Sequence, residues 1–234
     1  MLLKNVFSLN VQVRKCASRA SLLRKAILEE TEVVSRGLTP EISLRLITEN
    51  CRLFHANSEE LSKLPFTDPF WGFYWPGGMS VSRYILDNPE VVKGKRVLDF
   101  GSGCGATAIA CKLKQCSRVV ANDIDDAAAV AAKINAELNG VEIETETKNL
   151  INDPATDFDV VVFGDVFYDQ EFAELLLPWI QQLVADKKNC LIGDPGRHAL
   201  SKQLKLELLA RYSLPESVCI ENHGFKSTSV FKVL

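Results

Sequence analysis

No apolar run in this chain of 234 residues approaches the roughly 18 consecutive residues that a helix needs to cross a bilayer, so no membrane-spanning segment is expected. Internal repeats and low-complexity tracts are also missing. Metal-ligand spacing is absent. The seven cysteines (Cys16, Cys51, Cys104, Cys111, Cys116, Cys190 and Cys219) include no zinc-type pair, and His, Asp and Glu nowhere cluster as metal ligands do. An odd thiol count outside a short secreted framework is expected of reduced cysteines in an intracellular compartment. With 47% hydrophobic and 24% charged residues, the composition is that of a soluble globular protein. The length suits one sizeable domain better than two.

Acidic residues are absent from the first 28 positions, where Lys4, Arg14, Lys15, Arg19, Arg24 and Lys25 stand among serines and aliphatics. A basic, acid-free and moderately amphipathic start is the pattern of a mitochondrial presequence, so residues 1–28 are expected to be one and the protein to reside in the matrix. The alternative is a basic first helix of the folded body. Without those six cations the remainder carries −9 rather than −3. So acidic a body is expected to meet a basic or lysine-presenting partner and not a nucleic acid, because phosphate contacts need clustered Lys and Arg.

Residues 30–64 have helical spacing, with Thr39-Pro40-Glu41 as a helix start before Ile42, Leu44, Leu46 and Ile47, and residues 29–66 are expected to form a helical extension. From residue 67 to 234 a single α/β domain is expected. Strand candidates are Arg96–Gly101, Arg118–Ile124, Glu142–Lys148, Asp159–Asp165 and Asn189–Asp194. Helices are expected at Ala106–Lys114, Asp126–Asn139, Gln170–Ala185 and His198–Tyr212. Short apolar strands alternating with helices predict a parallel sheet covered on both faces. The chain then closes with two strand-like runs, Ser217–Asn222 and Ser227–Leu234, joined by His223-Gly224-Phe225. A hairpin there implies that the last strand inserts antiparallel.

Val97-Leu98-Asp99-Phe100-Gly101-Ser102-Gly103-Cys104-Gly105-Ala106 reads as a buried strand, a turn with glycine at every second position, and a helix start. Glycine permits positive φ and leaves no Cβ between chain and ligand. A loop after the first strand, beside the switch point of such a sheet, is where α/β folds bind nucleotides. The loop alone is also compatible with a nicotinamide-dependent dehydrogenase. Asp99 discriminates: at the mouth of the strand it would repel a diphosphate and attract a cationic sulfonium. Its alternative is a turn residue satisfying local amides. Asp123 ends the next strand about 20 residues on, the distance at which an acid reaches ribose hydroxyls. Asp125 and Asp126 read as the cap and first turn of the following helix. Asn149 would lie at the adenine edge, or simply end a strand.

Asp165 and Tyr168 follow the fourth strand, whose carboxyl end faces a cofactor's reactive group. Asp165 could hold an incoming lysine ammonium, and Tyr168 could wall the pocket and offer its face to the cation. The alternative makes Asp165 and Asp169 caps of the helix from Gln170. Asp68 to Gly78 is the densest aromatic stretch and is expected to be a rigid loop; Trp75 or Trp71 would cover the cofactor, or the loop is merely pinned by large side chains. Asp194-Pro195-Gly196-Arg197 either faces the substrate or is a bare turn. No Asn-Pro-Pro-Tyr or Asp-Pro-Pro-Tyr follows the fourth strand, which speaks against methylation of base amino groups or Gln/Asn amides. The missing metal cluster speaks against magnesium-dependent catechol chemistry.

Together, Trp71 to Gly78, Leu98 to Gly105, Ala121 to Asp125, Gly164 to Asp169 and Ile192 to Arg197 resemble the seven-β-strand class I protein lysine methyltransferases. The likeness covers about residues 65–234; the cofactor motifs are also similar to ribosomal protein L11 methyltransferases. The resemblance implies a doubly wound, Rossmann-like seven-stranded sheet of order 3-2-1-4-5-7-6 with strand 7 antiparallel. It implies S-adenosyl-L-methionine as cofactor, held by Asp99, Gly101, Ser102, Gly103, Gly105, Asp123, Ile124, Asn149, Gly164 and Trp75. Asp165 and Tyr168 match the family's Asp-x-x-Tyr signature as catalytic residues. The implied substrate is lysine of a protein, the electron transfer flavoprotein beta subunit, with a ribosomal protein as the alternative. A nicotinamide-dependent oxidoreductase and a non-enzymatic partner of the flavoprotein are the readings from other classes.

Overall fold

The computed structural model describes residues 18–200, 202–216, 218 and 224–234. Its central sheet begins with five strands at the expected places: β3 (Arg96–Phe100), β4 (Arg118–Asn122), β5 (Glu144–Glu146), β6 (Val160–Gly164) and β7 (Asn189–Asp194). Helices α4 (Ala106–Leu113), α5 (Asp126–Leu138) and α6 (Gln170–Ala185) alternate with them. The strand order is β5-β4-β3-β6-β7-β9-β8, and β9 (Ser227–Val233) runs antiparallel to both neighbours. Counted from β3 this is 3-2-1-4-5-7-6, as expected.

Successive strand residues point to opposite faces, and both faces are apolar. Val97, Val160, Val162 and Leu191 pack towards α4 and a further helix, α3 (Pro76–Asp87). Leu98, Val161, Phe163 and Ile192 pack towards α6, where Phe100, Phe163 and Trp179 meet edge-on and tilted at centroid distances of 4.9–5.7 Å. Helix α3 was not foreseen: Pro76-Gly77-Gly78, expected in a loop, forms its first turn, with proline at the position where a missing N–H costs nothing. It lies so close on the strand tips that a Cβ on Gly77 would come within 2.3 Å of the Gly193 carbonyl oxygen and 2.5 Å of Asp165 N.

The closing hairpin is displaced from its expected place. Residues 206–212, expected in a helix, belong to β8 (Leu206–Ser213), which pairs with β9. Of the run expected as a strand at Ser217–Asn222, only Val218 lies among the described residues, and it is helical. An edge strand must satisfy one row of backbone groups on β9, and β8 does this with a register shift between Leu208 and Ala210.

The N-terminal extension is not simply helical either. Helix α1, described over residues 18–30, is followed by an antiparallel pair, β1 (Glu32–Val34) and β2 (Leu44–Leu46), and a four-residue helix α2 (Ser58–Leu61). Thr39 to Ile42 closes only a single turn, with Ile42 N on Thr39 O at 3.0 Å, and the chain then extends as β2, on which Leu44 and Leu46 alternate inward; all three apolar residues are buried. Leu23, Ala26 and Ile27 of α1 are buried with Ala127, Ala128, Ala131 and Ile134 of α5. Arg19 pairs with Asp126, and Arg24 with Glu137 at 2.6 Å. A presequence boundary at residue 28 would therefore cut a helix docked on the domain; residues 1–17 lie outside the described residues.

Candidate active site

The glycine loop hangs between the tips of β3 and β4. Ser102 N donates to Asn122 O at 3.0 Å, and Gly103 N donates to Asp123 Oδ2 at 3.0 Å. Gly101, Gly103 and Gly105 have φ of +67°, +51° and +79°, so the chain turns in a conformation that L side chains resist. A Cβ on Gly103 would meet nothing within 4 Å, so this edge of the loop is open. Gly105 is different. Its Cβ position points at Ala132, 2.7 Å away, so the residue serves the close packing of α4 on α5 and does not present an open face to a ligand.

Asp123 sits at the rim. Its Oδ1 accepts from Asp125 N at 3.1 Å as Oδ2 does from Gly103, and each oxygen retains a lone pair for a ligand hydroxyl. Burial raises its pKa above the ordinary aspartate value. Ile124 beside it is 74% exposed, an apolar side chain left over the open edge. Asp125 caps α5 through Ala127 N at 2.8 Å.

Asp99 takes the place that was its alternative reading. It is buried, its Oδ2 accepts the third amide of α4, Ala108 N, at 3.1 Å, and burial pushes its pKa up to about 7. It ties the helix start to the strand from beneath the loop. Asn149 is exposed and its Oδ1 accepts from Ile151 N at 3.0 Å, the local turn of a strand end. Asn122, which went unnoticed, is buried and holds the end of β5 by donating to the carbonyls of Glu146 and Lys148, both at 2.9 Å.

The loop and rim fit S-adenosylmethionine. Gly103 leaves room for it, Asp123 retains acceptors for a ribose, and Ile124 offers an apolar cover. Ser102 Oγ, buried without a hydrogen-bond partner among the described residues, is a further polar group at the same turn.

On the β6 side, Asp165 follows the strand with φ +64° and is buried. Its Oδ2 accepts from Gly77 N at 2.7 Å, and its Oδ1 accepts from Arg197 Nε. Burial raises its pKa, opposed by the Arg197 charge and the Gly77 amide. It does not cap α6; Asp169 does, through Phe172 N at 2.8 Å. Tyr168 is exposed, stacks on Phe172 at 5.7 Å, and feels the charge of Asp123, which helps raise its pKa after burial. Gly164 is a packing position: its Cβ would stand 3.0 Å from Gly78 Cα, against the first turn of α3.

Trp75, expected to cover the cofactor, stands on the Asp165 side of the site, its indole donating to Phe70 O at 3.0 Å and its face 5.9 Å from the Arg197 guanidinium that binds Asp165. Trp71 is core, edge-on to Phe66 at 5.1 Å. Asp194, at the tip of β7, is buried, and its pKa is pushed up to about 6 by burial. Its Oδ1 accepts from Gly196 N and Arg197 N at 2.6 and 2.7 Å. The signal for Arg197 was positional: a charged residue just past the carboxyl end of a strand near the switch point. Cys51, Cys104, Cys111, Cys116 and Cys190 are unpaired and buried, and among the described residues no group of three or more His, Cys, Asp or Glu could hold a metal.

Known proteins agree with this geometry. The ribosomal protein L11 methyltransferase family (PrmA) matches residues 81–190. The electron transfer flavoprotein beta subunit lysine methyltransferase of Rattus norvegicus is 47% identical over 225 residues, covering 93% of this chain and 87% of its own. The homolog in Caenorhabditis elegans is 36% identical over 234 residues, covering 89% and 95%. Among solved structures, a ribosomal protein L11 methylase from Lactobacillus delbrueckii subsp. bulgaricus shares the fold with a TM-score of 0.51 at 21% identity, over 86% of this chain and 97% of its own. The Pyrococcus abyssi tRNA (uracil-54, C5)-methyltransferase, in complex with S-adenosyl-L-homocysteine, reaches 0.51 at 19% identity, over 69% of this chain and 40% of its own. The nicotinamide alternative falls, and S-adenosylmethionine is the cofactor: the chain belongs to the family of electron transfer flavoprotein beta subunit lysine methyltransferases.

Proposed function

We propose that this enzyme methylates lysine ε-amino groups of the electron transfer flavoprotein beta subunit, in the mitochondrial matrix. The observation that carries the reading is the pairing at the switch point: an open glycine turn with Asp123 on one side, and on the other the buried Asp165 carboxylate, joined through Arg197 to the face of Trp75. The lysine substrate is supported by the names of the close relatives and by an anionic, aromatic acceptor site suited to a cation. The matrix location is supported by Lys4, Arg14 and Lys15 in an acid-free start. Because α1 docks on α5, the leader is proposed to end within residues 1–17.

Bound S-adenosylmethionine supplies an electrophilic methyl group on a sulfonium sulfur. The chain's own part is positioning and desolvation. Asp123 fixes the ribose end, Asp165 attracts the lysine ammonium, and Trp75 offers it an aromatic face. The ammonium must release its proton to solvent before its lone pair can attack; desolvation in the pocket favours that loss, and the Asp165 carboxylate opposes it. The Gly103 turn and Asp123 would hold S-adenosylmethionine, which would supply the methyl group and leave as S-adenosylhomocysteine.

The test incubates the protein with isotopically labelled S-adenosylmethionine and either purified flavoprotein beta subunit or ribosomal protein L11, followed by mass spectrometry of tryptic peptides. Label on beta-subunit lysines is expected. Label on L11 alone would move the substrate assignment to the ribosome.

A further inference from the structure

Arg197 stands where a cationic acceptor would stand. Its Nε donates to Asp165 Oδ1, and its guanidinium carbon lies 5.9 Å from the Trp75 ring centroid and 5.6 Å from that of Phe225. One carboxylate and two aromatic faces are the surroundings in which a lysine ammonium is stabilised. The pair is sheltered, with side-chain exposures of 15% for Arg197 and 2% for Asp165. Resting on the reading of Asp165 as the anchor of the substrate lysine, we infer that Arg197 is an internal occupant of the acceptor seat, a cation that the substrate lysine must displace.

Guanidinium suits such a role chemically. Its charge and nitrogen lone pairs are delocalised over the planar group, so it lacks the free lone pair that a deprotonated lysine brings to the methyl group. It can fill the seat without being consumed. While it does so, it compensates a buried carboxylate that would otherwise be costly to leave unpaired.

The local backbone allows the exchange. Asp194 Oδ1 holds the amides of Gly196 and Arg197, which fixes where the arginine leaves the strand tip. Gly196 has φ +102° and is exposed, so the side chain departs from a turn at the surface. Moving the guanidinium outward breaks its bond to Asp165 and its two ring contacts, and disturbs no sheet pairing, because β7 ends at Asp194. Occupancy by Arg197 therefore raises the threshold for substrates: a lysine that also brings favourable contacts around the seat competes, and an isolated lysine does not.

The experiment measures steady-state methylation of the flavoprotein beta subunit by wild type, Arg197→Ala and Arg197→Gln at saturating S-adenosylmethionine and mildly alkaline pH. The glutamine variant keeps side-chain length without charge, should the alanine variant fold poorly. Removing the internal competitor is expected to lower KM for the protein substrate about five- to tenfold, with the change in KM and not in kcat, and methylation of free lysine-containing peptides should rise. Guanidinium ion added below denaturing concentrations should return KM of Arg197→Ala towards the wild-type value, competitively with substrate. A KM that is unchanged or raised, in a variant that binds S-adenosylhomocysteine like wild type, would overturn the inference and make Arg197 a structural residue or a direct substrate contact. Absence of beta-subunit methylation by the wild type itself would instead remove the proposed function.

Discussion

Asp165 Oδ2 accepts the backbone N–H of Gly77 at 2.7 Å, so a carboxylate at the tip of β6 caps helix α3 across 88 positions of sequence. Trp75, the residue at the cap position of α3, supplies no side-chain bond of its own. The Asp165 carboxylate is thus fixed by the helix that begins directly after Trp75, and the two cannot shift independently.

This double duty separates two substitutions. Asp165→Asn retains an acceptor for Gly77 N and tolerates φ of +64° well, but loses the charge. It is expected to fold and to bind S-adenosylhomocysteine while methylation falls about a hundredfold or more. Asp165→Ala leaves the Gly77 amide without its cap and strains the backbone, so it should in addition lose about 1–3 kcal/mol of stability. Thermal unfolding beside turnover distinguishes them; wild-type turnover in the asparagine variant would end the role assigned to the carboxylate.

The sheet was legible because its core strands are short apolar runs between clear helix signals, as in Val160 to Phe163. Leu206 to Ser213 was not, because Leu206, Leu208, Leu209 and Ala210 are good helix formers and the shift between Leu208 and Ala210 breaks strict alternation. Ile42, Leu44 and Leu46 did carry period-two spacing, but the Thr-Pro-Glu before them imitates a helix start. In the site, Asp123 and the open turn at Gly103 could be read from spacing. The contacts Asp165–Gly77 and Asp165–Arg197 could not, since they join elements 88 and 32 positions apart through tertiary packing.

Asp123 accepts two loop amides and is placed to accept ribose hydroxyls as well. Hydrogen bonds to a charged acceptor contribute about 1.5–3 kcal/mol each. Asp123→Ala should therefore weaken S-adenosylhomocysteine binding at least tenfold by calorimetry, and loosen the Gly103 turn. Undiminished affinity would place the ribose elsewhere.

Helix α1 supplies Leu23 and Ile27 to the core shared with α5. Burying two such side chains contributes about 4 kcal/mol, a large part of a domain's net stability. A chain beginning at residue 18 is expected to keep its melting temperature and activity, whereas one beginning at residue 29 should melt about 10 °C lower. Equal melting of the two would return α1 to the leader.

Asp99 lies buried beneath the glycine loop with its pKa near 7, well above the ordinary aspartate value of 3.8. Between those two values the folded protein holds a proton that the unfolded chain has released. Stability therefore falls as pH rises through this window, and levels off above about 7 once both states are ionised. The loss is on the order of 4 kcal/mol, set by the cost of an anion that burial disfavours and only the Ala108 amide relieves. Asp99→Asn keeps an acceptor for that amide and cannot ionise. Its unfolding free energy, from urea titrations at both ends of the window, should decline with pH by less than the wild type's, the remaining slope being that of Asp194, whose pKa stands near 6, and of Asp123, Asp125 and Asp165, which burial also raises. An identical decline in both proteins would mean that the Asp99 carboxylate is ionised throughout, and that its charge is compensated by something other than the first turn of α4.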